Sequence, residues 1–245
     1  MPPRLHLGHH NLGPEYWGII DPLLTERGKQ QCMELGRSFP YESCIDLVVT
    51  SPMRRAIYTG LAAFESFFND RPGTNLIVHP DLQEVGQFPC DVGSTIPELL
   101  LEKERENLPI DIGLLTDDWT SKEGRYQAIR GKIQARALNM RCWLRKRPEK
   151  DIAVVSHGAF LHFLTDDWED ACKHEATSWA NTEHRVYNFV EQSDEMHGND
   201  EASMQETTFS RERRGKTGPP LNLESQRQLR EIMLDGWVKQ GYPVK

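Results

Sequence analysis

The chain has 245 residues, 38% of them hydrophobic and 27% charged, with 29 Lys plus Arg against 37 Asp plus Glu and a net charge of −8. This is globular composition with length for a substantial core; the acidic balance argues against general nucleic-acid binding, and there is no polybasic patch for a membrane surface. No apolar run approaches the ~18–20 residues of a spanning helix. Met1-Pro2-Pro3-Arg4-Leu5-His6 has no apolar core of a leader, so a secretory signal is not expected. The five cysteines, Cys32, Cys44, Cys90, Cys142 and Cys172, are odd in number and widely spread. They fit reduced thiols in a cytoplasmic or nuclear setting better than a disulfide framework or a zinc site.

In chain order, Arg4-Leu5-His6-Leu7 alternates as a short strand, and a turn-rich stretch follows to Asp21. Thr25 is set as the N-cap of a helix running toward Arg37. Ile45–Thr50 is a β-branched apolar run, a second strand. Ser51-Pro52 then opens a helix, with Ser51 as N-cap and Pro52 at its first position. Its apolar face is Ile57, Leu61, Phe64 and Phe68. Leu76–His79 reads as a third strand, and 81–122 as loops and short helices over one end of the sheet. Ile129, Ile133, Ala137, Met140 and Leu144 recur at helical spacing up to Pro148, which stops the helix. Ile152–Ser156 is apolar enough for a central strand. A helix begins at Gly158, and Arg185–Val190 is a fifth strand.

Residues 1–190 are therefore expected to form one α/β domain, a three-layer sandwich with a mostly parallel central sheet between helices. Residues 191–220 read as a polar flexible linker. Residues 221–245 read as a C-terminal amphipathic helix with Leu229, Ile232, Met233 and Trp237 on one side.

Four polar groups directly follow predicted strands or lie just beyond them. They are Gly8-His9-His10-Asn11, Ser51-Pro52-Met53-Arg54-Arg55, Glu84, and Ser156-His157-Gly158. In a parallel sheet these strand ends share one edge, where ligands bind. An arginine fork suits phosphate oxygens, histidine binds or attacks phosphorus, and a carboxylic acid protonates a leaving alkoxide. Together they describe phosphoryl-transfer chemistry without metal or cofactor. His6, His9 and His10 lack the spaced Asp, Glu or Cys that would complete a metal site.

The sequence resembles the histidine phosphatase superfamily, in its phosphoglycerate-mutase-like branch, over roughly residues 4–190. The resemblance rests on Asp21–Gly28, Thr50–Thr59, Leu82-Gln83-Glu84 and Val154–Gly158 in that order. It implies that Arg55 binds phosphate, that Glu84 is the proton donor, and that His157 helps bind the phosphoryl group. It also implies a small phosphorylated or anionic ligand. The family's Arg-His-Gly or Arg-His-Ala block, which carries the nucleophile, is absent between Leu7 and Gly8. Asn11 matches the family's phosphate-contacting asparagine, and His9 and His10 are the candidate substitute nucleophiles.

Three readings stay open. One is a divergent phosphatase with an altered nucleophile. Another is a pseudophosphatase that binds an anionic ligand or a protein partner. The third is a re-purposed biosynthetic enzyme using Glu84 and His157 on an unphosphorylated substrate.

Overall fold

The computed structural model describes residues 17–171, 179–190 and 202–239, together with Val244. The expected first strand at 4–7, and with it His6, His9, His10 and Asn11, lie outside these residues. Four strands form one sheet in the order β3-β2-β1-β4. They are β1 (Leu47–Thr50), β2 (Leu76–Val78), β3 (Ile110–Asp111) and β4 (Ile152–Val155). Every pair in it is parallel, and Thr50 stands in register with both Val78 and Val155. The strand ends therefore lie level along one edge.

Alternation along the strands sends side chains to two cores. Leu47 and Val49 pack with α5 (Arg130–Arg145), α6 (Gly158–Thr165) and α8 (Leu223–Lys239). Val48, Leu76, Val78 and Ala153 pack on the opposite face with α2 (Arg54–Ala63), Phe67 of α3 (Glu65–Asn69) and Leu99 of α4 (Ile96–Glu106). Helix α1 (Glu26–Ser38) lies against α2, and adding a Cβ at Gly36 would bring it to 2.8 Å from the Ala63 carbonyl oxygen. This is a three-layer α/β sandwich.

Thr25 caps α1 by accepting the Gly28 N–H at 3.0 Å. Ser51 does not cap α2. That helix begins two residues later, with Met53 at the N-cap position, and Ser51 remains tied to the sheet through its N–H to the Val155 carbonyl at 3.0 Å. The stretch 81–122 holds the eleven-residue helix α4, set by a complete capping box between Thr95 and Glu98.

Strand β4 is the last of the described strands in the sheet, and the expected first strand at 4–7 lies outside the described residues. Among the described residues its side chains pack on both faces, Ile152 and Val154 toward one core and Ala153 and Val155 toward the other. The fifth predicted strand, β5 (Tyr187–Phe189), does not join the sheet. It pairs antiparallel with β6 (Met204–Glu206). Within 191–220, where the composition predicts a linker, the described part holds β6 and α7 (Thr208–Arg213). Its cations are paired: Arg214 with Glu206 inside the segment at 2.7 Å, and Arg211 with Glu169 at 2.6 Å, Arg214 with Asp170 at 2.8 Å and Lys216 with Asp170 at 2.5 Å outside it. Met233, Leu234 and Trp237 of α8 are buried, whereas Ile232 is 59% exposed.

Candidate functional site

The sheet edge is continued past the strands by backbone bonds. The Ser51 N–H reaches Val155 and the His79 N–H donates to the Thr50 carbonyl at 2.8 Å. Ser51, His79 and Ser156 thus begin three neighbouring loops. Ser51 is fully buried. Its Oγ accepts the Met53 N–H at 3.3 Å and lies 2.7 Å from Nε2 of His157. Because β1 and β4 are in register, a short hydroxyl after one strand meets an imidazole two residues after the other. Ser156 Oγ donates to the Leu82 carbonyl at 2.8 Å, which fastens the loop carrying Glu84 to the same edge.

Glu84 sits at the start of α6. Its Oε1 accepts the Val85 N–H at 2.8 Å and the Phe160 N–H at 3.2 Å, so the carboxylate meets the positive end of a helix. Burial nevertheless pushes its pKa up, helped by repulsion from Asp91. The Val85 N–H and the charges of Arg55 and Arg136 pull it back only in part. The carboxyl holds its proton at higher pH than an exposed glutamate would.

Arg55, in the first turn of α2, is buried. Nη1 donates to the Cys90 carbonyl at 2.7 Å and Nη2 to Oδ1 of Asp91 at 3.3 Å. Asp91 ends a single 3-10 turn, and burial raises its pKa against the pull of Arg55 and Lys122. Its carboxylate lies against the backbone of Gly86, where an added Cβ would fall 1.9 Å from Oδ2. Only glycine leaves that space. Arg54, the neighbouring arginine, turns away to pair with Glu102 at 2.7 Å. The start of α2 is held by Asp21, whose carboxylate accepts the Arg54 N–H at 2.9 Å and the Ser94 N–H at 2.9 Å.

Arg55, Glu84 and His157, expected from the sequence, gather at one sheet edge, and Glu84 and Asp91 act electrostatically on each other. Sequence reasoning missed Asp91, Lys122, Arg136 and His79. Asp91 and Lys122 come from the irregular 81–122 stretch, which has no period to read. Arg136 had a legible signal, since it lies between Ile133 and Met140 on the buried face of α5, where an arginine is out of place. His79 is buried with its Nδ1 accepting the Asp81 N–H at 3.2 Å. Burial and the nearby Arg125 lower its pKa to about 4, so it is neutral. One hollow, lined by Asp167, Tyr187, Glu206, Arg211 and Gln226 among others, lies away from this edge. Among the described residues no group of His, Cys, Asp and Glu has the arrangement of a metal site. Likewise, none of the described helices is long and apolar enough to cross a membrane.

The sequence profile of the histidine phosphatase superfamily (branch 1) matches residues 9–198. The chain belongs to that superfamily. A probable phosphatase of Schizosaccharomyces pombe is 31% identical, the match covering 59% of this chain and 66% of that protein. A phosphoglycerate mutase-like protein of Arabidopsis thaliana is 27% identical, covering 62% of this chain and 65% of the relative. The chain thus spans just under two thirds of the length of these curated relatives. Among solved structures, mycobacterial hydrolase 1 aligns over 84% of this chain and 95% of its own, with 16% identity and a TM-score of 0.45. Within the superfamily match lie Arg55, Glu84 and His157, the segment 81–122, and the segment holding His9, His10 and Asn11.

Proposed function

We propose that this chain binds the phosphoryl group of a small phosphorylated molecule at the edge formed by Ser51, Glu84 and His157, and that its turnover by the family's phosphohistidine route is weak or absent. The observation that carries the reading is the His157–Ser51 contact at 2.7 Å. It joins two strand ends level with the loop of Glu84 and the first turn of α2, which carries Arg55. Arg55 supplies the fork for phosphoryl oxygens once Asp91 and the Cys90 carbonyl yield their places. His157 adds a hydrogen bond that Ser51 orients. Glu84 protonates the leaving oxygen, a role its raised pKa suits. By the family resemblance Asn11 would contact phosphate, and His9 and His10 are the candidate substitutes for the family's nucleophile.

A positioned acid contributes ~10²–10⁴-fold, far short of a full phosphoryl-transfer site. The missing Arg-His block therefore supports a second reading, a protein that holds an anionic ligand without consuming it. Thermal unfolding with inorganic phosphate and vanadate tests the binding claim. Both anions should raise Tm, and Arg55→Ala should abolish the increment; an increment unchanged in that variant overturns the shared pocket. Hydrolysis of p-nitrophenyl phosphate tests the catalytic claim. It should be near background in this chain and rise by orders of magnitude when Arg-His-Ala is inserted between Leu7 and Gly8. Robust turnover that is lost in His9→Ala or His10→Ala would overturn it.

A further inference from the structure

Both terminal nitrogens of Arg55, the fork offered above to a phosphoryl group, are already engaged within the chain. Nη1 donates to the Cys90 carbonyl at 2.7 Å and Nη2 to Oδ1 of Asp91 at 3.3 Å. The two acceptors are consecutive residues of one 3-10 turn, Pro89–Asp91, so a single short segment fills the fork. The carboxylate bond is long, since a charge-assisted pair closes to about 2.7–2.9 Å, and it uses one oxygen where an arginine fork suits two. A phosphoryl group presents oxygens at the spacing this carboxylate does not meet. The charge of Lys122 also acts on Asp91, and Nζ of Lys122 is held nearby by Oε1 of Gln83 at 2.8 Å. Asp91 thus stands between two cations, one in contact and one in reserve.

The room for the carboxylate at Arg55 depends on residue 86. A Cβ added to Gly86 would stand 1.9 Å from Oδ2 and 2.9 Å from Cγ of Asp91, and the next atom it would meet, at 3.7 Å, is the Asp91 Cβ. Gly86 is not among the glycines with positive φ, so its backbone is open to any residue. What an alanine there would meet is the Asp91 side chain in its Arg55-facing position.

We propose that Asp91 is an internal anion that occupies the phosphate seat: its carboxylate holds the Arg55 fork closed and swings toward Lys122 when a phosphoryl group takes its place. The inference rests on the reading that Arg55 binds the phosphoryl group, and adds to it the residue that regulates access to that seat. A seat that is open for only part of the time binds more weakly in proportion to the fraction open. Removing the occupant therefore tightens binding, whereas removing a mere support for Arg55 would loosen it.

The test is calorimetry of inorganic phosphate with the full chain at neutral pH. Asp91→Asn keeps the shape of the side chain and removes its charge. Gly86→Ala keeps the carboxylate and drives it from its place, because the atom in the way is the free end of a side chain. Each variant should bind phosphate about tenfold more tightly than the native chain or better, and adding Arg55→Met to either should abolish the binding. Unchanged or weaker binding in either folded variant overturns the proposal. Gly86→Ala retains every charged group and decides alone where Asp91→Asn does not fold. If the native chain and the variants bind phosphate through Arg55 with one affinity, the phosphate reading stands and this inference alone falls. If neither the native chain nor the variants bind phosphate, both fall together.

Discussion

Replacing Arg55 by methionine isolates the pair on which the anion site is built. The Arg55 and Asp91 side chains are 6% and 8% exposed, and their contact is 3.3 Å. Removing the guanidinium also removes the 2.7 Å bond to the Cys90 carbonyl. What remains is a buried carboxylate without its cation, and breaking one side of such a pair costs about 3–5 kcal/mol. Lys122 also acts on Asp91 and the contact is long, which places the expected cost near the lower end, about 3 kcal/mol. At about 2–4 °C per kcal/mol for a chain of this size, Tm should fall by roughly 6–12 °C. The loss should shrink as pH falls, because the Asp91 carboxyl is already raised and protonation removes the unpaired charge. Adding Asp91→Leu should recover much of the stability, with a coupling on the order of 2 kcal/mol between the two sites. Urea unfolding followed by circular dichroism at pH 7.5 and 5.5 reads all of this. A cost below about 1 kcal/mol for Arg55→Met, or no coupling in the double variant, would show that Asp91 does not hold Arg55 and would refute the reasoning.

Further predictions concern the loops that support the edge. His79 has a folded pKa of about 4, below its unfolded value, so the stability it contributes is present above pH ~6.5 and is lost as pH falls toward 4. That loss is roughly 3 kcal/mol, and His79→Gln should flatten this limb of the stability–pH curve; an unchanged curve would mean that another group titrates there. Gly93→Ala should drive a Cβ to 1.8 Å from the Trp119 ring, which is buried and cannot swing aside. It should destabilise by about 1–3 kcal/mol, read by urea unfolding, and a cost below about 0.5 kcal/mol would mean that Trp119 does move aside.

The parts of the fold that were legible are those with a period. The α1 cap, the α5 stripe and the apolar runs of β1, β2 and β4 follow from alternation, helical spacing and capping chemistry. Ser51 was misplaced as a cap because a hydroxyl before proline looks the same in sequence whether it serves a helix or an imidazole across the sheet. Helix α4 was under-read since Pro97 and Gly93 near its start resemble loop punctuation, although Thr95 and Glu98 spell a capping box. Tyr187–Phe189 has strand composition, yet its partner β6 lies in a stretch whose charges imitate a linker. Those charges do not announce their partners, because Glu169 and Asp170 are far away in sequence. The site divides in the same way. Arg55, Glu84 and His157 were legible because each is tied to a strand end or to a family block. Asp91 and Lys122 reach the edge only through the tertiary path of an irregular loop.

The balance of charge at this edge bears on how binding and acid catalysis connect. With Glu84 and Asp91 both ionised, they draw on the cations Arg55, Lys122 and Arg136 that an arriving phosphate would use. Each carboxyl that takes a proton frees one cation. Both carboxyls are already raised by burial, and Glu84 is raised further by Asp91 itself. An arriving phosphate adds more negative charge beside Glu84 and pushes in the same direction. On the proposed reading, ligand binding and protonation of Glu84 therefore favour each other. The proton taken up on binding is the one the leaving oxygen requires, so a ligand seated on the cations also charges the acid. A chain lacking the family's nucleophile block would retain this half of the device, and its most direct sign is proton uptake from solution when phosphate binds near neutral pH.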